Sequence, residues 1–196
     1  MTNTINPSLM SFLEDEPICS TCLDQFEITF YSRHINGVNA LSIYQYNDVF
    51  KETLYRYKAK GDIELGQIFL FPYRYYLKFK YEGYIIVPIP STKESDDKRG
   101  FNHVHEAFKT LGLPFINCIQ KKIDFKQSDY DFAERQKVKE KLSIEDRNQL
   151  RNKKVLIVDD LITTGATMKA VISLIQDYHP KRLKILTLSY TKLIDK

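Results

Sequence analysis

This 196-residue chain contains few cysteines and no long apolar runs, and each of these features limits the classes of protein to which it can belong. Three cysteines form an odd set with no disulfide framework, which is typical of a protein kept in a reducing cytoplasm. No stretch approaches the roughly 18 apolar residues that a membrane-spanning helix requires. Residues 1–16 are polar and then acidic, unlike a secretory signal peptide. These features predict a cytoplasmic protein without a membrane span.

Composition leaves the question of a polyanionic partner open. A formal net charge of +4 permits such a contact without requiring it. The 13 tyrosines and 12 phenylalanines fit nucleic-acid contact, but they equally fit a small aromatic core. Candidate contacts are Lys51, Arg56, Lys58 and Lys60 beside Tyr55 and Tyr57, and the basic run 121–126. A solvated helix face is the alternative interpretation of the same residues.

The most informative segment, residues 155–167, has the sequence VLIVDDLITTGAT. Its four leading apolar residues predict a buried parallel strand that ends at two adjacent carboxylates, Asp159 and Asp160. Beyond the loop, apolar residues recur at i, i+3, i+4 and i+7 from Val171 to Tyr178, which predicts an amphipathic helix. A strand, a loop and a helix are therefore expected in succession.

The loop between that strand and helix has the chemistry of an anion site. N–H groups at a helix N-terminus lack intrahelical partners, so they can bond phosphate oxygens. Glycine allows close backbone approach, and threonine hydroxyls add donors. The predicted phosphate-binding residues are Thr163, Thr164, Gly165, Ala166 and Thr167. Carboxylates do not bind phosphate, so Asp159 and Asp160 are expected to accept hydrogen bonds from sugar hydroxyls or to hold a bridging metal ion, which indicates a sugar phosphate.

Strand and helix patterns alternate along the rest of the chain. Strands are predicted at 41–46, 84–87 and 115–119, and helices at 46–57, at 62–80 with a kink at Pro72, and at 102–110. This alternation predicts an α/β fold with a mostly parallel sheet flanked by helices. Ligands of such sheets bind at the carboxyl ends of the strands. Pro88, Ile89 and Pro90 follow a strand, so they are expected to line the crevice; a rigid strand exit is the alternative.

Arg99 is a further candidate for anion binding. It precedes the helix predicted at 102–110, and a cation at a helix start is unfavourable against the dipole unless an anion is present. Its guanidinium group could grip a pyrophosphate bidentately, with Gly100 allowing close approach. A surface salt bridge is the alternative.

Residues 155–167 resemble the phosphoribosyl-pyrophosphate (PRPP) motif of type I phosphoribosyltransferases, and the chain as a whole resembles the ComF family of competence proteins. The family resemblance covers roughly residues 41–190. It is carried by Tyr46-Asn47-Asp48, Lys51-Glu52, Lys58 with Gly61-Asp62, Val87-Pro88-Ile89-Pro90, Arg99-Gly100-Phe101-Asn102, Lys126-Gln127-Ser128, Glu134-Arg135 and the motif at 155–167.

The resemblance implies roles for these residues. Asp159 and Asp160 would contact the ribose 2′ and 3′ hydroxyls, the threonine loop would hold the 5′-phosphate, and Arg99 would bind pyrophosphate. These three charged residues would form the catalytic centre, with Mg²⁺ bridging pyrophosphate and ribose. A flexible loop containing Gln127 and Arg135 would close over the ligand and exclude water.

The N-terminal segment departs from the family pattern. Typical members carry several CxxC pairs in a zinc-binding module, whereas this chain keeps one pair, Cys19 and Cys22. A structural zinc site takes four ligands, and His34 is the nearest candidate for a third. We therefore expect residues 1–40 to be an extension with a remnant CxxC module whose zinc is doubtful, and residues 41–196 to be the phosphoribosyltransferase-like domain. Cys118, on a predicted core strand, is expected to pack as a small apolar side chain.

The family resemblance implies a role in natural transformation, in which DNA enters as a single strand. The expected partners are PRPP or a related phosphorylated ribose, single-stranded DNA, a helicase-like ATPase of the same operon and a second copy of the chain, at the inner face of the membrane. Two alternatives stay open, because fold does not fix function. One is an active phosphoribosyltransferase acting on a base or a salvage acceptor, and the other is a regulator that binds a nucleotide reversibly.

Overall fold

The computed structural model describes residues 17–121, 142–144 and 149–191. The helices are α1 (Ser20–Leu23), α2 (Asp48–Ala59), α3 (Leu65–Ile68), α4 (Arg74–Lys80), α5 (Lys93–Arg99), α6 (His103–Phe108) and α7 (Ala166–Gln176). The strands are β1 (Ile28–Ile35), β2 (Val38–Gln45), β3 (Tyr84–Pro88), β4 (Ile119–Lys121), β5 (Leu142–Ile144), β6 (Lys154–Ile162) and β7 (Arg182–Tyr190). Short 3₁₀ turns occupy Phe71–Tyr73 and Lys109–Leu111. The 62–80 helix is thus broken near Pro72, as its sequence predicts.

Five strands form the main sheet of the described residues, in the order β1-β2-β7-β6-β3. The β2–β7, β7–β6 and β6–β3 pairs are parallel, and only β1 runs antiparallel to its neighbour. The predicted α/β fold with a mostly parallel sheet is confirmed.

Both faces of the sheet are covered, which explains the continuous apolar run in β6. Leu156 and Val158 pack in one cluster with residues of α2, α4 and α6. Val155 and Ile157 point to the other face and pack in a second cluster with α7. Because alternate residues of a strand face opposite sides, a strand buried on both sides is apolar at every position. Cys118 is buried in the second cluster, as expected.

The periodicity of apolar residues does not predict the β1–β2 hairpin. Its two-residue loop is Asn36-Gly37, where φ is +47° and +76°. Asn-Gly supplies the left-handed conformations that a tight hairpin turn requires. Most β1 side chains are exposed or half-buried, which removes the alternation that marks a strand. Strand β2 follows this turn directly, so it begins at Val38 and not at the predicted residue 41.

The predicted strand at 115–119 is wrong in most of its length. Phe115 makes only an isolated parallel bridge to Ile86. Regular strand structure begins at Ile119, in β4, which pairs antiparallel with β5 in a separate two-stranded sheet. Pro114 directly precedes the bridge and cannot donate to a strand ladder.

Helix α2 begins after Asn47, whose side chain accepts a hydrogen bond from the N–H of Phe50. Its buried face consists of Phe50, Leu54 and Tyr57. Tyr57 is therefore a core residue and is excluded as a surface for stacking bases. Within the described ranges, no helix is long and apolar enough to cross a bilayer.

Candidate functional site

The acidic pair lies inside strand β6, which continues to Ile162, whereas the sequence predicts that the strand ends at the pair. The pairing of β6 with β3 stops at Val158, whereas its pairing with β7 continues to Ile162. Asp159 and Asp160 therefore extend past the end of β3 while β7 still supports their backbone. This half-supported position brings two carboxylates to the carboxyl edge of the sheet, where ligands of parallel sheets bind.

Asp160 is buried, with 6% of its surface exposed, and it is fully partnered. Its Oδ2 atom accepts a hydrogen bond from Nζ of Lys58 at 2.7 Å, and its Oδ1 atom lies 3.5 Å from Nε2 of His103. Burial alone would raise the pKa of Asp160, but the hydrogen bond from His103 and the charge of Lys58 outweigh burial and hold that pKa below its ordinary value. Asp160 is therefore a fixed anion.

Asp159 has the opposite electrostatic character. Burial, and then the neighbouring charge of Asp160, raise the pKa of Asp159 well above its ordinary value. Its Oδ1 atom accepts a hydrogen bond from the Asp160 N–H at 2.9 Å. The two adjacent carboxylates thus differ in role. Asp160 is held by contacts within the protein, whereas the ionised form of Asp159 would be stabilised by any ligand that donates hydrogen bonds or carries positive charge.

His103 links Asp160 to Arg99 in one defined tautomer. Its Nδ1 atom lies 3.0 Å from Nη1 of Arg99. A guanidinium group can only donate, so Nδ1 must accept, and the ring proton is on Nε2, facing Asp160. The His103 carbonyl also accepts a 2.6 Å hydrogen bond from the Tyr57 hydroxyl, which fixes the start of α6. His103 is therefore a positioning residue for Asp160.

Arg99 is the last residue of α5, so the helix-start argument made from the sequence is wrong. A cation at a helix C-terminus is favourable. Its side chain is 9% exposed and contacts Asp96 at 3.1 Å, while its Nε atom donates to the Lys58 carbonyl at 2.8 Å. Asp96 in turn accepts from the Asn102 amide. Arg99 thus ties α5 to the end of α2, and its binding of pyrophosphate stays a prediction.

Pro88, Ile89 and Pro90 lie directly beside the acidic pair. The Ile89 N–H donates to the Val158 carbonyl at 2.9 Å, one residue before Asp159. Ile89 is buried, and the two prolines have no N–H to offer. Carbonyl oxygens are therefore the backbone groups that this loop can present to a ligand.

The predicted phosphate loop follows β6 as expected. Gly165 has φ of +74° and precedes the first residue of α7. It makes no side-chain cap, and the first turn of α7 contains no acidic residue. Thr163, Thr164, Ala166 and Thr167 are exposed, and the Thr164 hydroxyl makes one long bond of 3.4 Å to the Ala166 N–H. The uncapped end of an 11-residue helix is suited to an anion.

A cleft of about 680 Å³ opens between α2 and the end of β6. It is lined by Tyr46, Asp48, Lys51, Glu52, Leu54, Tyr55, Lys58, Asp160 and Leu161. Because Lys58 and Asp160 are among the lining residues, the cleft adjoins the acidic pair. Gln127 and Arg135, predicted to close over the site, lie outside the described residues.

The CxxC pair forms no complete metal site with other described residues. Cys19 precedes the short helix α1, and Cys19 and Cys22 are both exposed. Hydrogen bonds from Cys22 lower the pKa of Cys19. Across residues 17–121, 142–144 and 149–191, no cluster of three or more His, Cys, Asp or Glu side chains could hold a metal ion.

Sequence reasoning missed the inner side of this site. It treated Lys58 as a surface cation and gave His103 no role, although both contact Asp160. Lys58 and Asp160 are 102 residues apart in sequence, so no local pattern predicts their contact. The sequence contains one weak indication of the position of His103. Asn102 is a typical N-cap residue, and the residue after an N-cap lies in the first turn of the helix.

Known proteins match this arrangement in sequence. Residues 97–193 match the model of the phosphoribosyl transferase domain. Competence protein ComFC of Bacillus subtilis is 34% identical over 129 residues, which cover 65% of this chain and 53% of that protein. ComFC of Streptococcus pneumoniae is 31% identical over 152 residues, or 78% of this chain and 68% of that protein. A hypoxanthine phosphoribosyltransferase structure from Staphylococcus aureus aligns with 20% identity and a TM-score of 0.36, covering 59% and 58% of the two chains.

The region matched by the phosphoribosyl transferase model contains Arg99, His103, the acidic pair and the phosphate loop, whereas Lys58 and the 88–90 loop precede it. The phosphoribosyl transferase match begins in α5 and continues through β6, the phosphate loop, α7 and β7. The Bacillus match spans about half the length of that relative, and the Streptococcus match about two thirds. The chain belongs to the ComF family of competence proteins, and its core is a type I phosphoribosyltransferase-like domain.

Proposed function

We propose that this chain acts in natural transformation and binds PRPP or a related phosphorylated ribose at the edge of β6. The observation that carries the proposal is the pairing of an uncapped helix N-terminus with two carboxylates of unlike character. The helix end suits a phosphate, and the carboxylates suit sugar hydroxyls. A phosphate-only site would have no use for the acids.

The three parts of the ligand would be held by different elements. The 5′-phosphate would lie on the backbone N–H groups of residues 163–167 with their threonine hydroxyls. The ribose hydroxyls would donate to Asp159, whose burial beside Asp160 favours any partner that offers hydrogen bonds. The pyrophosphate would lie near Arg99 and the Pro88–Pro90 loop.

Mg²⁺ fits the residues present when the ligand supplies part of its coordination. This ion keeps several waters and takes one or two carboxylates together with substrate phosphates. Asp159 would hold it, since Asp160 is already paired with Lys58 and His103. When bound, Mg²⁺ would neutralise charge on the pyrophosphate.

An active phosphoribosyltransferase is the second candidate, and the 680 Å³ cleft favours it. The cleft adjoins Asp160, and Tyr46 and Tyr55 in its walls offer aromatic surface to a planar acceptor. Transfer would break the bond between ribose carbon 1 and the pyrophosphate oxygen and form a bond from carbon 1 to the acceptor atom, with pyrophosphate leaving and the proton of the acceptor passing to solvent. In both candidates the ribose end of the ligand is bound in the same way.

The further partners follow from the proposed role. They are single-stranded DNA, the helicase-like ATPase of the same operon and a second copy of this chain, at the inner face of the membrane. The relatives named competence proteins support this assignment, as does the basic charge of +4.

Calorimetric titration of PRPP with Mg²⁺ tests the ligand proposal. We expect micromolar binding to the wild type and at least 100-fold weaker binding to the Asp159→Asn/Asp160→Asn variant, because the ribose hydroxyls and Mg²⁺ lose their anionic partners. Lys169→Ala is the control, since this exposed α7 residue lies outside the loop.

Each outcome has a distinct meaning. Binding by wild type and control with loss in the double variant supports the site. Equal binding by all three proteins would place the ligand elsewhere. Absence of binding to the wild type would contradict the PRPP proposal, and release of pyrophosphate with an added base would favour the enzyme.

A further inference from the structure

Helix α4 exposes an unusual set of aromatic and basic side chains. Phe79 is 82% exposed and Tyr75 is 48% exposed, and their i, i+4 spacing places them on one side of the helix. Lys78 and Lys80 are exposed beside them. The Arg74 guanidinium group lies 4.5 Å from the Tyr75 ring centroid. We call these five residues the α4 patch.

Basic residues continue from the α4 patch to the start of the sheet. Helix α4 leads through Tyr81 directly into β3, which begins at Tyr84. Nζ of Lys184 lies 5.8 Å and 5.6 Å from the ring centroids of Tyr81 and Tyr84. Nζ of Lys154 lies 5.7 Å from the Tyr84 centroid. The amino ends of β3, β6 and β7 therefore extend the patch with two more cations.

The sequence around α4 carries charge of one sign over a long stretch. No acidic residue occurs between Glu64 and Glu82, a segment that contains Arg74, Lys78 and Lys80. A large aromatic side chain in water loses the benefit of burial, and cations around it further exclude other cationic partners. Exposed rings among cations are complementary to a flexible polyanion whose bases are free to stack.

The sequence suggested two other surfaces for this role. Residues 122–126 of the basic run lie outside the described residues, and the surface on α2 is less suited. Tyr57 is buried, and Lys58 is paired with Asp160. Arg56 is paired with Asp62 at 3.0 Å. Asp48 and Glu52 on the same helix also oppose a polyanion.

We propose that the α4 patch binds single-stranded nucleic acid by stacking bases on Tyr75 and Phe79 while Lys78 and Lys80 neutralise phosphates. This assignment rests on the nucleic-acid part of the proposed function and gives it a location. The cations on Tyr81 and Tyr84 lie at the amino ends of the strands, whereas Asp159 and the phosphate loop lie toward the carboxyl ends. PRPP and nucleic acid would therefore not compete for the same residues.

Fluorescence anisotropy with a labelled 20-nucleotide oligo-dT strand tests the α4 patch. Tyr75→Ala/Phe79→Ala should weaken binding at least tenfold, since one stacked base contributes about 1–3 kcal/mol. Lys78→Ala/Lys80→Ala should reduce the slope of log K against log salt by about 1.4, because each neutralised phosphate of a single strand contributes about 0.7. Arg56→Ala/Lys60→Ala is the matched control at the C-terminal end of α2, and its affinity should stay within twofold of wild type.

The outcomes separate this inference from the proposal on which it rests. Wild type that binds no strand would contradict nucleic-acid binding itself, whatever the PRPP titration shows. Wild-type binding that survives both α4 variants, or that is lost in the α2 control instead, would overturn the α4 assignment alone. Binding of phosphatidylglycerol vesicles or self-association that the α4 variants abolish, with DNA affinity unchanged, would assign the patch to a membrane or a second copy and overturn the inference. Unchanged thermal unfolding and PRPP binding would show that the variants are folded.

Discussion

Replacing Arg99 with alanine is expected to lower the free energy of unfolding by about 3 kcal/mol. The guanidinium group is almost buried and donates to four partners: the Asp96 carboxylate, the Lys58 carbonyl, the Phe101 carbonyl and Nδ1 of His103. Alanine would leave the Lys58 carbonyl and Nδ1 of His103 without this donor, whereas Asp96 would keep its hydrogen bonds from Ser91 and Asn102. Each buried polar group that loses its partner costs about 1–3 kcal/mol. Urea denaturation followed by circular dichroism measures the change.

Two substitutions serve as controls for Arg99. Arg99→Lys keeps the charge but not the planar fork, so it should recover only part of the loss. Lys98→Ala removes a neighbouring exposed cation and should change stability by less than about 0.5 kcal/mol. A fully stable Arg99→Ala protein whose PRPP binding alone is lost would contradict the structural role and favour direct contact with pyrophosphate.

Local sequence patterns predicted the part of the fold that is buried on both faces. Strand β6 and helix α7 have patterns set by their own burial, so a short window contains the information. The elements at the edge of the sheet have weaker local patterns. The exposed strand β1 has no alternation, and the Asn36-Gly37 turn was the one local signal that could have revealed the hairpin.

The phosphate loop of the site was predictable from the sequence, whereas the partners of Asp160 were not. Gly165 and the threonines around it form a contiguous motif whose chemistry follows from residue type. The partners of Asp160 come from α2 and α6, and only the packing of these helices against β6 brings them together. The position of Arg99 was misjudged because α5 precedes α6 with only Gly100-Phe101-Asn102 between them. In a connection this short, the residue that ends one helix can be mistaken for one at the start of the next.

Asparagine substitutions at the two acids are expected to change stability in opposite directions at neutral pH. Asp160→Asn should lower the free energy of unfolding by about 2 kcal/mol, since Lys58 and His103 lose an anionic partner. Asp159→Asn should raise it, because burial and Asp160 both disfavour the ionised form of Asp159 relative to the unfolded chain, while the amide oxygen can still accept from the Asp160 N–H. Urea denaturation of both variants at pH 7 gives the two signs.

The pH dependence provides an independent check on the same pair. The folded pKa of Asp159 lies above its unfolded value of about 3.9, so its destabilising contribution grows as pH rises from about 3.9 toward the folded pKa and is absent below about 3.9. The advantage of Asp159→Asn over wild type should therefore shrink on acidification. The folded pKa of Asp160 is lowered, so its contribution is complete above about 3.9 and is lost below that pH toward the folded pKa. Asp160→Asn should accordingly lose less stability than wild type below pH of about 4. Two variants with the same sign at pH 7 and parallel profiles would contradict the division of roles, because it requires one carboxylate to be held by the protein and the other to be held for a ligand.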